Sequence, residues 1–217
     1  MLGAETFKTV PDFMSRETFC KAVSVSRETA GRLEAYITLL KKWNKTINLV
    51  SSRSLDDPWR RHILDSAQLA HHMPNEKARI VDLGSGAGLP GIILALIMRG
   101  ADVHLVESDQ RKTAFLREAS RVLGCKISIH MERIETAINK IQDIDVFTAR
   151  ALAPLPKLLK YIEPALNEKK ICIFHKTEGI NKELDRLNSE IFKSVRVLDS
   201  VSDPRGKILV LEVEYSE

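Results

Sequence analysis

No stretch of the chain narrows its folding options more than Ile80-Val81-Asp82-Leu83-Gly84-Ser85-Gly86-Ala87-Gly88-Leu89-Pro90-Gly91. An apolar run with an acidic residue near its end leads into closely spaced glycines and then into renewed apolar sequence, the pattern of a strand, a tight turn and a helix. Glycine permits both the sharp turn and the close approach of a ligand where a Cβ would collide. From residue 79 onward, short apolar strands alternate with helical stretches, which predicts a mostly parallel sheet covered by helices. Strands are expected at Arg79 to Leu83, Asp102 to Glu107, Lys126 to His130, Asp145 to Ala149, Lys170 to His175, Lys193 to Asp199 and Lys207 to Val213. Helices are expected over roughly 89–99, 110–123, 154–164 and 179–190. The last two strands are joined by Ser202-Asp203-Pro204-Arg205-Gly206 with no helix between them, so an antiparallel hairpin should close the sheet.

Upstream, the periodicity is helical. Ser26 can cap a helix over 26–44, in which Leu33, Tyr36, Ile37, Leu40 and Trp43 form one apolar face. Asp57-Pro58 starts another, with Trp59, Ile63, Ala67 and Ala70 on a stripe, and Met73-Pro74-Asn75 ends it. The expected architecture is α/β: a Rossmann-like domain over 77–217 with an N-terminal helical extension over 1–76 packed on its core.

Two cofactor classes compete for the glycine turn. Gly86, Gly88 and Gly91 spell the dinucleotide fingerprint, in which a pyrophosphate rests on the free amides of the following helix. Asp82 argues against that reading, because a carboxylate there would repel a pyrophosphate, whereas it complements the ammonium and sulfonium of S-adenosylmethionine (SAM) directly or through water. Pro90 also removes a first-turn amide that a phosphate could use. Glu107, at the end of the second strand, stands where an acidic residue accepts hydrogen bonds from ribose hydroxyls. Either cofactor carries such a ribose, so Glu107 supports the class without choosing within it.

The 217 residues, 44% hydrophobic and 29% charged, suffice for one main core. No apolar run approaches the roughly 18–20 residues of a membrane span, and the N-terminus lacks a basic-then-apolar leader. Cys20, Cys125 and Cys172 are scattered, without the spacing of a disulfide framework or a zinc site. A cytoplasmic protein without a metal and without membrane association is expected, with a monomer as the default. The net charge of +4 is modest, but two clusters concentrate it: Lys41, Lys42, Lys45, Arg53, Arg60 and Arg61, and Arg111, Lys112, Arg117, Arg121, Lys126 and Arg133. They point to an RNA partner bound through its phosphates.

The glycine segment, together with Trp43-Asn44-Lys45, Ile47-Asn48-Leu49, Arg61-His62-Ile63-Leu64-Asp65-Ser66 and Ala149-Arg150-Ala151, closely resembles the RsmG family. This family, also called glucose-inhibited division protein B, comprises bacterial 16S rRNA guanine-N7 methyltransferases. The resemblance spans nearly the whole chain and implies a class I SAM-dependent methyltransferase fold, with 16S rRNA or the small ribosomal subunit as partner. Carried over by position, it implies that Gly84 and Leu89 line the SAM pocket, that Ile134 and Glu135 flank the adenine, and that Arg150 is the family's arginine at the end of the fourth strand. Lys176 and Lys207 resemble basic positions near the substrate. Glu107 stands where family members often have aspartate, and Thr177 where a glycine usually follows the lysine.

Guanine N7 has an in-plane lone pair and no proton, so its methylation needs no general base, and no acid/base pair is assigned. Arg150, Lys176 and Lys207 are candidates for positioning instead. Neither the Asn/Asp-Pro-Pro-aromatic motif of exocyclic-amine methyltransferases nor a Pro-Cys nucleophile is present. Cys125 and Cys172 read as small buried hydrophobes. Arg150 can also be read as a strand-end salt bridge, His62 and Asp65 as a local hydrogen bond three residues apart, and His71 and His72 as residues near a helix end. Two rival functions remain open: a NAD-dependent oxidoreductase and a non-catalytic RNA-binding factor on the same fold.

Overall fold

The computed structural model describes residues 13–166, 168–185, 187 and 192–214. Arg79–Leu83 (β1), Asp102–Val106 (β2), Ser128–His130 (β3), Val146–Arg150 (β4), Lys170–Thr177 (β5), Phe192–Asp199 (β6) and Gly206–Val213 (β7) form one sheet in the order β3-β2-β1-β4-β5-β7-β6. β1 to β5 are parallel, and β7 lies antiparallel between β5 and β6. The order reverses between β1 and β4, where an open α/β sheet leaves a crevice at its carboxyl ends. The expected class and all seven strands are therefore present. The third strand begins at Ser128 and not Lys126, and the fourth runs one residue further than expected, through Arg150.

The helices are Arg16–Val23 (α1), Arg27–Asn44 (α2), Asp65–Ala67 (α3), Gly91–Ile97 (α4), Gln110–Leu123 (α5), Ile134–Ile138 (α6), Leu155–Ile162 (α7) and Ile180–Leu184 (α8). Their ends follow capping chemistry. The Ser26 hydroxyl accepts the Thr29 amide at 3.1 Å, and the Asp109 carboxylate accepts those of Arg111 and Lys112. Gly124, at a φ of 59°, closes α5 by donating its N–H to the Ser120 carbonyl.

Five helical segments depart from the expectation. α1, capped by Ser15, and α6, a single turn with no side-chain cap, were not legible from periodicity, since neither is long enough to display a face. α8 occupies only the start of the expected 179–190 helix, of which 186 and 188–190 lie outside the described residues. α4 starts at Gly91, so Pro90 is its cap and not a first-turn residue. The stretch after Asp57 departs furthest. Asp57 caps it, accepting the Arg60 amide at 3.2 Å, but the chain then winds as a π-helix over Trp59–Leu64, as α3, and as a 3-10 helix over Gln68–His72. Residues 62–69 are all buried, so packing from several sides sets the winding and not a single apolar stripe.

One face of the sheet shares its core with the N-terminal helices: Phe19, Leu33 and Leu40 are buried with Ile80, Val103 and Phe115. The other face buries Val81, Phe147 and Phe174 against Leu155, Leu158 and Ile162 of α7. Trp43 meets Phe115 edge-on at 5.8 Å between ring centres, and the buried Tyr36 hydroxyl donates to the Ala87 carbonyl at 2.8 Å. The N-terminal extension thus reaches the glycine turn itself. Among the described residues no helix is long and apolar enough to cross a membrane. Tyr36→Phe would leave the Ala87 carbonyl buried without its donor, and equilibrium urea unfolding should show a loss of about 1–3 kcal/mol.

Candidate active site

The glycine turn hangs from two carboxylates. Asp82, fully buried, accepts the Thr148 hydroxyl of β4 at 2.9 Å on one oxygen and the Gly91 amide at 3.2 Å on the other. Glu107 accepts the Gly86 amide at 2.9 Å and the Asp109 amide at 2.8 Å. One acid braces the turn from beneath and the other from the side. Burial drives the Asp82 pKa up to about 7, against the opposing pull of its Thr148, Gly91 and Ser85 hydrogen bonds and of Arg150.

Gly84, at a φ of 62°, has the Leu152 side chain so close that a Cβ would come within 2.5 Å of it. Next to this contact, at the carboxyl ends of β1 and β2, opens a cavity of about 250 Å³. It is lined by Gly84, Glu107, Ile134, Glu135, Ala151 and Leu152, with Lys112 and Arg133 also on its wall. Gly84, Glu107, Ile134 and Glu135, four of the candidate cofactor residues, therefore meet in one place although they lie in three separate segments. Gly86 stands behind Glu107 through its amide. Leu89 and Asp82 do not line the cavity: Leu89 is packed in the core shared with the N-terminal helices, and both Asp82 oxygens are engaged inside the protein. A wider depression of about 680 Å³, lined by Glu28, Arg32, Arg99, Asp102 and Lys126, lies at the amino end of β2, away from the crevice where α/β sheets bind ligands.

Arg150 leaves β4 on the face covered by the N-terminal helices. Its guanidinium donates to the Arg61 carbonyl at 3.0 Å, lies 3.3 Å from His62 Nδ1 and pairs with Asp65 at 3.3 Å. The salt-bridge reading of Arg150 is thus realised, with a partner that sequence reasoning did not identify. Among the described residues Arg150 Nη1 is buried without a hydrogen-bond partner.

The expected His62–Asp65 hydrogen bond is not formed. Asp65 instead accepts from the Ser202 hydroxyl and from Gln68, and lies 3.4 Å from His175. Burial opposes its ionisation, but His175, Arg150, Ser202 and Arg61 together hold its carboxyl below the ordinary value. His62 is kept neutral, its pKa lowered to about 3 by burial and by Arg150. Asp65, His175 and Ser202 come from three distant segments, and no local spacing marks them as partners.

Lys176 pairs with Glu183 of α8 at 2.9 Å, and Lys207, its cross-strand neighbour, pairs with Asp199. The first basic cluster keeps Lys41, Lys42, Lys45 and Arg53 exposed, while Arg60 and Arg61 pair with Asp57 and Asp203. The second divides: Lys112 and Arg133 line the cavity, whereas Lys126 lines the depression at the opposite end of the sheet.

Residues 29–208 match the family described as GidB, rRNA small subunit methyltransferase G. The chain belongs to this family. It is 44% identical over 202 residues to a ribosomal RNA small subunit methyltransferase G of Parvibaculum lavamentivorans, covering 92% of this chain and 89% of that one. The Rhodospirillum rubrum protein of the same name is 47% identical over 196 residues, covering 90% and 96%. A variant of MtNAS solved with S-adenosylmethionine has the same fold, with a TM-score of 0.56 at 18% identity over 92% of this chain and 84% of that one. As a member of this family, the chain is a SAM-dependent methyltransferase, and the dehydrogenase reading of Gly86, Gly88 and Gly91 is set aside.

Asp82 links pH to stability. Its pKa rises from an ordinary 3.8 in the unfolded chain to about 7 in the fold, so its contribution is fully present below the lower value and is lost as pH rises through the higher one. Urea unfolding of the parent and Asp82→Asn between pH 5 and 8 should show a difference in stability that changes with pH, with a limiting slope of about 1.4 kcal/mol per unit. A difference that stays constant with pH would contradict the shift.

Proposed function

We propose that this chain transfers the methyl group of SAM to N7 of a guanosine in 16S ribosomal RNA, acting as a cytoplasmic monomer on the RNA or the small subunit. The observation that carries the reading is the convergence of Gly84, Glu107, Ile134 and Glu135 on one cavity, in a chain that matches the rRNA methyltransferase family over most of its length. SAM, when bound, supplies an electrophilic methyl group on a cationic sulfur.

The donor set suits that cofactor. Each Glu107 oxygen accepts one backbone amide and keeps further lone-pair capacity, which can receive ribose hydroxyls. Gly84 lets the backbone approach closely, Ile134 offers an apolar face to an adenine ring, and Glu135 stands beside it. Asp82 acts at one remove, holding the turn that these groups share. Arg150 does not line the cavity; among the described residues its Nη1 is buried without a partner, so a carboxylate or phosphate would reach it only as the groups around it shift, while Asp65 fixes the rest of the guanidinium. Lys176 and Lys207 lie at the β5 and β7 ends of the same rim and face the substrate side.

With SAM held by Gly84, Glu107, Ile134 and Glu135, transfer would need N7 in line with the methyl carbon and the sulfur, and no proton would have to leave N7. What the protein contributes is therefore register between two molecules, an effect worth roughly 7–11 kcal/mol of barrier. Incubation with tritiated SAM and unmodified small-subunit RNA should place label at guanine N7, and Arg150→Ala should reduce the rate at least tenfold. Label on another atom would reject the reaction, and no label at all would favour the non-catalytic RNA-binding reading.

RNA is held through its phosphates. Exposed Lys41, Lys42 and Lys45 sit at the end of α2 where Trp43 packs on α5, the helix that also carries Lys112 to the cavity wall. Replacing the three lysines by alanine should weaken RNA binding and flatten its salt dependence by about 0.7 in log–log slope per lost phosphate contact. SAM affinity, read by titration calorimetry, should not change.

A further inference from the structure

Beside the cofactor cavity, and sharing Ala151 and Leu152 with it, lies a second cavity of about 310 Å³ at the carboxyl ends of β4 and β5. It is an open depression, apolar at Ala149, Leu152, Ala153 and Leu158, with His175 and Thr177 as well as the charged Lys176 and Glu183 on its polar side. This is the composition of a pocket for one planar base: apolar surfaces for its faces and a few polar groups for its edge.

The valences of the pair are specific. The Lys176 side chain is 7% exposed, and its ammonium donates to Glu183 at 2.9 Å and to the Ala153 carbonyl at 3.3 Å, so one of its three protons remains. Glu183 Oε2 receives both Lys176 and the Leu155 amide, while the described residues offer Oε1 no partner. Burial works against the charge on Glu183, but the Leu155 amide and Lys176 outweigh it and keep the carboxyl below its ordinary value. A buried lysine needs a counter-charge, and that alone explains the ion pair. It does not explain why the pair borders a base-sized cavity with one donor and one acceptor left open.

We propose that this cavity takes the target guanine, with Glu183 accepting from its N1–H and N2–H groups and Lys176 donating to O6. The assignment deepens the guanine-N7 methyltransferase reading and rests on it. Guanine matches the open valences in order, an acceptor beside donors. Adenine reverses them, setting its amino group against the ammonium and its N1 lone pair against the carboxylate. Reading this edge leaves N7, in the other ring, free to face Ala151 and Leu152, the residues the two cavities share. The base must leave its stack to reach the cavity, which fits a target in a loop or an opened stem.

The test uses the full-length protein and RNA fragments carrying guanosine or inosine at the methylated position, since inosine keeps N7 and O6 and lacks only the 2-amino group. In the parent, kcat/KM should fall roughly ten- to a hundredfold on going from guanosine to inosine. Glu183→Gln keeps an oxygen for the Leu155 amide. It should lower activity on guanosine and bring the guanosine-to-inosine ratio close to one with SAM affinity near that of the parent, while the melting temperature falls because Lys176 loses its counter-charge. A merely structural ion pair would leave the ratio unchanged in the variant, and that result overturns the proposal. So does a parent enzyme that treats the two bases alike, which needs no variant to fold. Failure of the parent to label N7 of guanosine overturns the reaction itself, and is distinguished from the other outcomes by being seen before any substitution is made.

Discussion

The site is organised around a carboxylate sealed away from water. Asp82 ends the apolar part of β1, and by accepting the Thr148 hydroxyl and the Gly91 amide it ties β1 to β4 and both to the start of α4. The glycine turn between these attachment points can then take left-handed backbone at Gly84, Gly86 and Gly88. Desolvation disfavours the charge, the hydrogen bonds favour it, and burial wins to the extent of bringing the pKa to about 7. A neutral acid could not accept as well at both oxygens, so the geometry of the turn and the protonation of Asp82 are coupled.

A second buried acid performs the corresponding task for the N-terminal helices. Asp65 gathers Arg150 from β4, His175 from β5 and Ser202 from the terminal hairpin, while Tyr36 reaches the Ala87 carbonyl in the glycine turn. The extension is consequently continuous with the sheet's core, and part of its hydrogen bonding ends on groups that shape the site. An arginine at a strand end would otherwise swing freely into the crevice. Held by Asp65, His62 and the Arg61 carbonyl, it keeps one orientation, with Nη1 still unpaired.

Charge is divided by place around the crevice. Lys112 of α5 and Arg133 before α6 stand at the carboxyl ends of the strands and the lysines at the end of α2 are exposed, suited to a phosphate backbone, whereas Arg60, Arg61 and Lys207 are neutralised by Asp57, Asp203 and Asp199. The Lys176–Glu183 pair is of another kind, because its lysine is buried and both residues line a cavity beside the one that Gly84 and Glu107 share. Phosphates can supply affinity at the exposed cations, but identification of a base needs directed donors and acceptors in a confined space.

Much of this was legible along the chain because its cause is local. Glycines at 84, 86, 88 and 91 are demanded by backbone angle and close approach, Ser26 and Asp109 by helix capping, and the alternation after residue 79 by the burial of a parallel sheet on both faces. Glu107 and the Ile134–Glu135 pair, the latter reached through the family resemblance, line one cavity because each follows a strand end and strand ends converge. What periodicity could not show is how the chain winds when a segment is buried on several sides, as at Trp59–Leu64, or which partner a buried charge finds. His62 and Asp65 are three residues apart on one helical stretch, yet each turns to groups more than 80 residues away. The sequence by itself determined the sheet and the turn, since these follow from conformational preferences read over a few residues, and the family resemblance carried the cofactor class. Only the tertiary structure decided that Asp82 is sealed beneath the turn, that Asp65 holds Arg150, and that Lys176 and Glu183 share a cavity, because desolvation and charge pairing depend on which distant segments pack together.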